Sequence, residues 1–173
     1  MNKVIIDAKD ILNEVGAEEH LSFEKVFSPI KVDADQIELV EPVKFDIDLE
    51  NTGSGIRVSG HVKSALKLTC SRCLTEFSFP VDWHIDELFY KENVPKEEEA
   101  YEIRNGTIDL GPPTEEEFVL AIPIKPLCTE SCQGICAVCG EVITSKHKPH
   151  EEVKVDARLA VLKQLLKEEK KGK

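Results

Sequence analysis

The sequence has no long apolar run. None of its stretches approaches the roughly 18–20 consecutive apolar residues that a membrane-spanning helix needs, and the first seven residues do not form the apolar core of a signal peptide. Charged residues make up 32% of the 173 residues, and hydrophobic residues make up 41%. These proportions are typical of one well-solvated domain, so we expect a cytoplasmic protein without membrane contact.

The sequence also lacks the motifs of common enzyme classes. It has no Gly-Lys-Ser/Thr phosphate loop, no G-x-G-x-x-G and no G-x-S-x-G. Its carboxylate runs, 97–99 and 115–117, have the composition of a solvated loop and of a helix start. We therefore expect a protein that is not an enzyme and has no small-molecule substrate.

Basic residues are in the minority, with 22 Lys and Arg against 33 Asp and Glu, a net charge of −11. The imbalance is concentrated in 82–119, which contains twelve acidic and three basic residues. A strongly acidic surface favours basic partners over nucleic acid, but the rest of the chain is close to neutral and could still contact RNA.

Three runs in the first half of the chain, 37–49, 56–68 and 77–85, alternate between apolar and polar residues. A turn-forming segment, Asn-Thr-Gly-Ser-Gly at 51–55, separates the first two. This period of two predicts half-buried strands in an antiparallel sheet or partial barrel with one face in water.

Helical signals lie in the second half. Thr114, with Glu117 three residues later, predicts a capping box for a short helix that ends before Pro123. In this helix we expect a core-facing apolar side formed by Phe118, Val119, Ala121 and Ile122. A leucine stripe within 156–170 predicts a C-terminal helix. The fold class is therefore α+β, and 1–173 forms a single domain.

Six cysteines carry the strongest chemical signal. Four of them, Cys128, Cys132, Cys136 and Cys139, fall within twelve residues, and a Cys-x-x-Cys pair precedes them at Cys70 and Cys73. In a reducing compartment such clusters indicate metal ligands before disulfides. Two thiols spaced by two residues can bind one tetrahedral ion from a tight turn, so 127–150 is predicted to be a cysteine-rich insert that binds a structural zinc ion.

Two ligand sets are compatible with the spacing. The local set, Cys128, Cys132, Cys136 and Cys139, has the lower cost of loop closure and is preferred. The alternative combines Cys70 and Cys73 with Cys136 and Cys139. Two nearby histidines, His147 and His150, could replace a thiolate. A competing hypothesis is a thiol redox protein that uses the Cys-x-x-Cys pairs. Such proteins place the pair at a helix start in a βαβ context, whereas we expect Cys70 to end one strand and Cys73 to precede another.

Several motifs occur in a recognisable order. They are Cys70-Ser-Arg-Cys73-Leu74, Ile108-Asp109-Leu110, the segment 117–123, the cysteine run 127–140 and Asp156-Ala157-Arg158-Leu159. In these motifs the chain resembles the YceD-like family of large ribosomal RNA subunit accumulation proteins.

The resemblance implies a metal-binding ribosome-biogenesis factor. Its expected partners are the pre-ribosomal large subunit, through rRNA or a basic ribosomal protein. Two arginines are candidate contacts for RNA or a partner: Arg72, between the first two cysteines, and Arg158, at the start of the C-terminal helix.

Overall fold

The computed structural model of the chain describes residues 2–32, 35–91 and 100–148. Within these ranges the chain is mainly β-sheet with two short helices. The elements are β1 (Ile5–Asp7), α1 (Lys9–Leu12), β2 (Glu18–Lys25), β3 (Ile30–Val32), β4 (Asp35–Ile37), β5 (Val43–Asn51), β6 (Gly55–Thr69), β7 (Glu76–Tyr90), β8 (Tyr101–Glu102), β9 (Thr107–Asp109) and α2 (Gly111–Ala121). The predicted C-terminal helix 156–170 lies outside the described residues. None of the helices in these ranges is long and apolar enough to cross a membrane.

The main sheet has five strands in the order β2-β5-β6-β7-β8. Its central pair, β6 and β7, forms a long antiparallel hairpin in which Gly55 pairs with Tyr90 and Thr69 with Glu76. β8 adds a short parallel pair at one edge. The second and third predicted strands are confirmed, and the first is confirmed from Val43 onward, since 38–42 lie outside the strands. The turn between Thr69 and Glu76 contains the first pair of cysteines.

The sheet has one covered face. Along β5 the inward side chains Val43, Phe45, Ile47 and Leu49 are fully buried and alternate with exposed polar residues. The N-terminal segment and α2 cover this face, where Phe118 of α2 packs edge-to-face on Trp83 with ring centroids 4.9 Å apart. The core therefore lies between the sheet and these covering segments.

The opposite face of the sheet is polar. Arg57 forms a bidentate ion pair with Asp86 across β6 and β7, with both N–O distances at 2.7 Å. His20 lies between the carboxylates of Asp46 and Asp48, at 3.2 and 2.8 Å. The predicted water-facing side is confirmed.

The start of α2 differs from the prediction. The helix begins at Gly111, with prolines in its first turn, and its N-cap position, Leu110, makes no side-chain cap bond. Thr114 is instead fully buried within the helix, and its hydroxyl has no hydrogen-bond partner among the described residues. Prolines fit the first helical turn because the missing N–H would be unpaired there anyway, so the helix starts before the predicted capping box. The expected orientation of Val119 is also wrong, because its side chain is 38% exposed.

Candidate metal centre

The first pair of cysteines lies at the tip of the β6–β7 hairpin. The amide of Cys70 donates to the carbonyl of Thr75, and the amide of Leu74 donates back to the carbonyl of Cys70, both at 3.0 Å. Leu74 has a left-handed backbone, with φ at +59°. We call this turn, Cys70–Thr75, the first knuckle. The side chains of Cys70 and Cys73 are both buried.

Several contacts hold the segment after α2 against this knuckle. The amide of Ser71 donates to the carbonyl of Pro126 at 2.8 Å. Arg72 Nη1 donates to the carbonyl of Cys132 at 2.7 Å. Gly134, at φ +85°, lies so close that a Cβ there would be 3.1 Å from the Arg72 carbonyl oxygen. These contacts bring Cys128 and Cys132 to the knuckle.

The result is a cluster of four thiols, Cys70, Cys73, Cys128 and Cys132, whose sulfurs all lie within 4.8 Å of one another. The sulfurs of Cys73 and Cys128 are 3.6 Å apart, and those of Cys70 and Cys132 are 3.8 Å apart. A zinc ion with Zn–S bonds of about 2.3 Å has a tetrahedral S–S edge of about 3.8 Å. This four-thiol cluster therefore has the donors and the dimensions to hold a metal ion.

The second Cys-x-x-Cys pair forms a turn of the same type. The amide of Cys136 donates to the carbonyl of Glu141 at 2.7 Å, and the amide of Gly140 donates to the carbonyl of Cys136 at 2.8 Å. Gly140 has a φ of +74°. We call this turn, Cys136–Glu141, the second knuckle. It closes a small hairpin in which Ile135 bridges Val142.

A histidine completes a second group of donors. His147 Nε2 lies 3.3 Å from the sulfur of Cys139. The ligand atoms of Cys136, Cys139 and His147 all lie within 4.8 Å of one another, and we call them the three-donor cluster. Cys139 is exposed, in contrast to the buried Cys70 and Cys73.

This grouping corrects the ligand sets expected from the sequence. Neither the local set of four cysteines nor the Cys70–Cys73 set with Cys136 and Cys139 is brought together; Cys128 and Cys132 join the first knuckle instead. The physical reason is the docking of 126–134 onto that knuckle, which the sequence spacing does not reveal. Of the two histidines considered as replacements for a thiolate, His147 lies beside the sulfur of Cys139, whereas His150, like Arg158, is outside the described residues. A role for Arg72 in binding RNA or a partner stays a prediction, and its described contacts are loop carbonyls.

Backbone amides favour the thiolate form at one position of each knuckle. The amide of Cys128, and then that of Cys73, lower the pKa of Cys70 to about 6. The amides of Cys139 and Val138 likewise lower the pKa of Cys136. In contrast, the hydrogen bond with the Cys73 thiol and burial raise the pKa of Cys128 to about 12. In a knuckle, backbone amides donate hydrogen bonds to the sulfur and so stabilise the thiolate form that binds a metal.

Comparison with known proteins adds the family. The sequence model of the family described as "Large ribosomal RNA subunit accumulation protein YceD" matches residues 58–166. The chain belongs to the YceD family. The matched range runs from near the start of β6 to beyond the three-donor cluster, so all six cysteines lie in the YceD part of the chain. The first five strands and α1 precede it.

Curated proteins from several bacteria are similar to this YceD-family chain. The uncharacterized protein Rv2926c of Mycobacterium tuberculosis is 29% identical over 148 residues, which is 82% of this chain and 71% of that protein. The uncharacterized protein YlbN of Bacillus subtilis is 28% identical over 152 residues, 77% of this chain and 86% of that protein. No solved structure matches the chain.

Proposed function

We propose that the chain is a non-enzymatic ribosome-biogenesis factor that supports the accumulation of large-subunit rRNA in the cytoplasm. In this role it binds rRNA or a ribosomal protein of the pre-ribosomal large subunit. The observation that carries the proposal is the YceD-family match over 58–166, because the family description names large ribosomal RNA subunit accumulation.

In this proposal the four-thiol cluster holds a structural zinc ion. Four thiolates complete a tetrahedral shell, and a closed shell leaves no position for a catalytic water. The donors come from the hairpin tip and from the segment after α2, which are 55 residues apart at Cys73 and Cys128. A bound ion would therefore fix these two distant segments to each other, which is a structural role and supports a protein that is not an enzyme.

The charge of the surface around α2 favours a basic protein as the partner. Glu87 of β7 is half-buried, and its pKa is raised by burial and then by the nearby charges of Glu117 and Glu116. Carboxylates from β7 and α2 thus lie close enough to repel one another. The accumulated negative potential would repel an RNA backbone and attract a lysine-rich or arginine-rich ribosomal protein.

The thiol redox alternative needs a low-pKa cysteine that a substrate can reach. Cys70 has a pKa lowered to about 6, but its side chain is fully buried. A structural metal site requires no such access, so the geometry favours metal binding. Titration with a disulfide reagent distinguishes the two: rapid reaction of Cys70 in the metal-loaded native protein would support the redox alternative.

Depletion of the protein in its host tests the cellular role. We expect the ratio of large-subunit to small-subunit rRNA to fall, and the wild-type chain to restore it. An unchanged ratio in depleted cells would refute the proposal. The double variant Glu116→Lys/Glu117→Lys should fail to restore the ratio, whereas a matched change on the exposed edge strand, Glu18→Lys/Glu19→Lys, should succeed.

Nuclease treatment of ribosomal particles tests the choice of partner. If the chain binds a basic protein, its association with large-subunit proteins survives degradation of the RNA and weakens with rising salt. Association that nuclease abolishes, and that the Glu116→Lys/Glu117→Lys variant strengthens, would indicate direct contact with rRNA instead.

A further inference from the structure

The proposed function leaves the three-donor cluster without a role. We propose that Cys136, Cys139 and His147 form a second, independent metal site that binds a zinc-class divalent ion through three protein donors and exchanges it with solvent. The site lies on the small hairpin after the four-thiol cluster, and it shares no donor with that cluster.

The donors are prearranged. The second knuckle directs two sulfurs to one side, and the amide of Val138 lies 3.4 Å from the sulfur of Cys136. The distance of 3.3 Å between the sulfur of Cys139 and Nε2 of His147 is close to the S–N edge of about 3.6 Å expected around tetrahedral zinc. A metal ion would therefore need only small shifts of these atoms.

The hairpin backbone holds this arrangement. The amide of Ile143 donates to the carbonyl of Gly134 at 2.8 Å, next to the Ile135–Val142 bridge. The amide of His147 donates to the carbonyl of Thr144 at 3.0 Å, which returns the chain toward the knuckle. Because all three donors lie within twelve residues, the loop that an ion must close is short and its entropic cost is low.

The donor chemistry selects the class of ion. Two thiols and one imidazole suit zinc and related transition ions, whereas magnesium and calcium prefer oxygen donors. Among the described residues no fourth donor joins the group. A carboxylate oxygen, Oε2 of Glu141, is 3.9 Å from the sulfur of Cys139.

Exchange follows from the exposure of the three-donor cluster. Cys139 is exposed, so a chelator can reach the ion, whereas two donors of the four-thiol cluster, Cys70 and Cys73, are buried. The two sites should therefore release their ions at different rates.

Metal content and release from the full-length zinc-loaded protein test the proposal. We expect two zinc ions per chain and two phases of release to a colorimetric chelator. Cys139→Ser and His147→Ala should each reduce the content to one ion and abolish only the fast phase. Lys148→Ala, an exposed change beside the histidine, should retain both ions. For His147→Ala, zinc affinity of the fast site should fall at least about 100-fold, since loss of a ligand costs more than loss of its supporting contacts.

Cobalt(II) substitution gives a second readout. Thiolate-to-cobalt absorption should appear in two steps on titration of wild type, and the weaker step should be missing in Cys139→Ser. If wild type binds one ion per chain, and Cys139→Ser and His147→Ala bind the same amount, the second site alone would be overturned. No bound ion in wild type would overturn this site and also the structural zinc of the proposed function. Loss of both ions in Cys139→Ser, with the fold intact by circular dichroism, would overturn the independence of the sites.

Discussion

The two knuckles have the same backbone but different surroundings. In both, the amide of the first cysteine bonds to the carbonyl five residues later, and its own carbonyl accepts from the amide four residues later. In both, the residue after the second cysteine is left-handed: Leu74 at φ +59° and Gly140 at φ +74°. The local sequence Cys-x-x-Cys thus specifies one chelating turn twice.

The difference lies in what meets each turn. The two cysteines of the first knuckle are buried at the end of the main hairpin and lie beside two thiols of a distant segment. In the second knuckle Cys139 is exposed, and the third donor is an imidazole eight residues further along the chain. The turn therefore provides two donors, and the tertiary structure determines how many further donor side chains lie beside them and how deeply these donors are buried. We expect the first site to support the fold and the second to affect it little.

The largest expected effect separates the two sites by stability. Cys73→Ser removes a buried donor, and without the ion the segment 126–134 keeps only its hydrogen bonds to the hairpin tip. Because the binding energy of a structural zinc ion contributes directly to folding, we expect the melting temperature to fall by about 10 °C or more. Thermal unfolding followed by circular dichroism measures the change.

The matched variant is Cys139→Ser, in the same position of the second knuckle. Its melting temperature should change by less than about 3 °C. Excess chelator should lower the melting temperature of wild type to that of Cys73→Ser. Equal effects of the two substitutions would mean that the sites do not differ in their contribution to the fold.

The second contrast concerns two left-handed glycines, Gly134 after Cys132 and Gly140 after Cys139. Gly134→Ala places a Cβ 3.1 Å from the Arg72 carbonyl oxygen at a left-handed position, whereas Gly140→Ala meets nothing within 4 Å. Left-handed backbone costs alanine about 1 kcal/mol, and the close approach adds to this at Gly134. We expect losses of about 2 kcal/mol for Gly134→Ala and about 1 kcal/mol for Gly140→Ala in urea unfolding. A larger loss at Gly140 would show that the second knuckle packs more tightly than the first.

Arg72 tests how the docked segment is held. Its guanidinium donates to the carbonyls of Cys132, at 2.7 Å, and Glu130, at 3.4 Å. Since the side chain is exposed, Arg72→Ala should cost about 1 kcal/mol, below the usual range for charged hydrogen bonds. It should also speed zinc release from the four-thiol cluster but not from the three-donor cluster. Arg72→Lys should retain part of the effect, and unchanged release in Arg72→Ala would leave Arg72 free for a partner.

The sequence predicts the central strands because each has an apolar, core-facing residue at every second position. β2 was missed because it is an exposed edge strand, in which only Leu21 and Phe23 are half-buried. Edge strands carry polar residues on both faces, which hides the period of two. The start of α2 was predicted wrongly for a different reason. Thr114 and Glu117 match the pattern of a capping box, but the helix already begins at Gly111, with two prolines in its first turn.

The sequence points to the candidate metal-binding residues, but the structure groups them differently from the sets expected from their spacing. Each knuckle supplies two thiols, and six cysteines with His147 exceed the four positions of one tetrahedral ion. This excess of donors over four was the feature of the sequence that could have suggested two sites. The partners of the first knuckle could not be read from the spacing, because Cys70 and Cys132 are 62 residues apart and meet only through long-range packing.

The smallest expected effect tests whether the two turns are equivalent. Leu74 occupies the left-handed position that Gly140 has in the other knuckle, and its side chain is 66% exposed. Leu74→Gly should relieve about 1 kcal/mol of backbone strain and lose part of it to the greater freedom of glycine in the unfolded chain. We expect a net stabilisation of about 0.5 kcal/mol in urea unfolding, and a destabilisation of about 1 kcal/mol for the reciprocal Gly140→Leu. If Leu74→Gly is instead destabilising by about 1 kcal/mol, the Leu74 side chain contributes packing at the hairpin tip, and the first knuckle is supported by more than its backbone and its thiols.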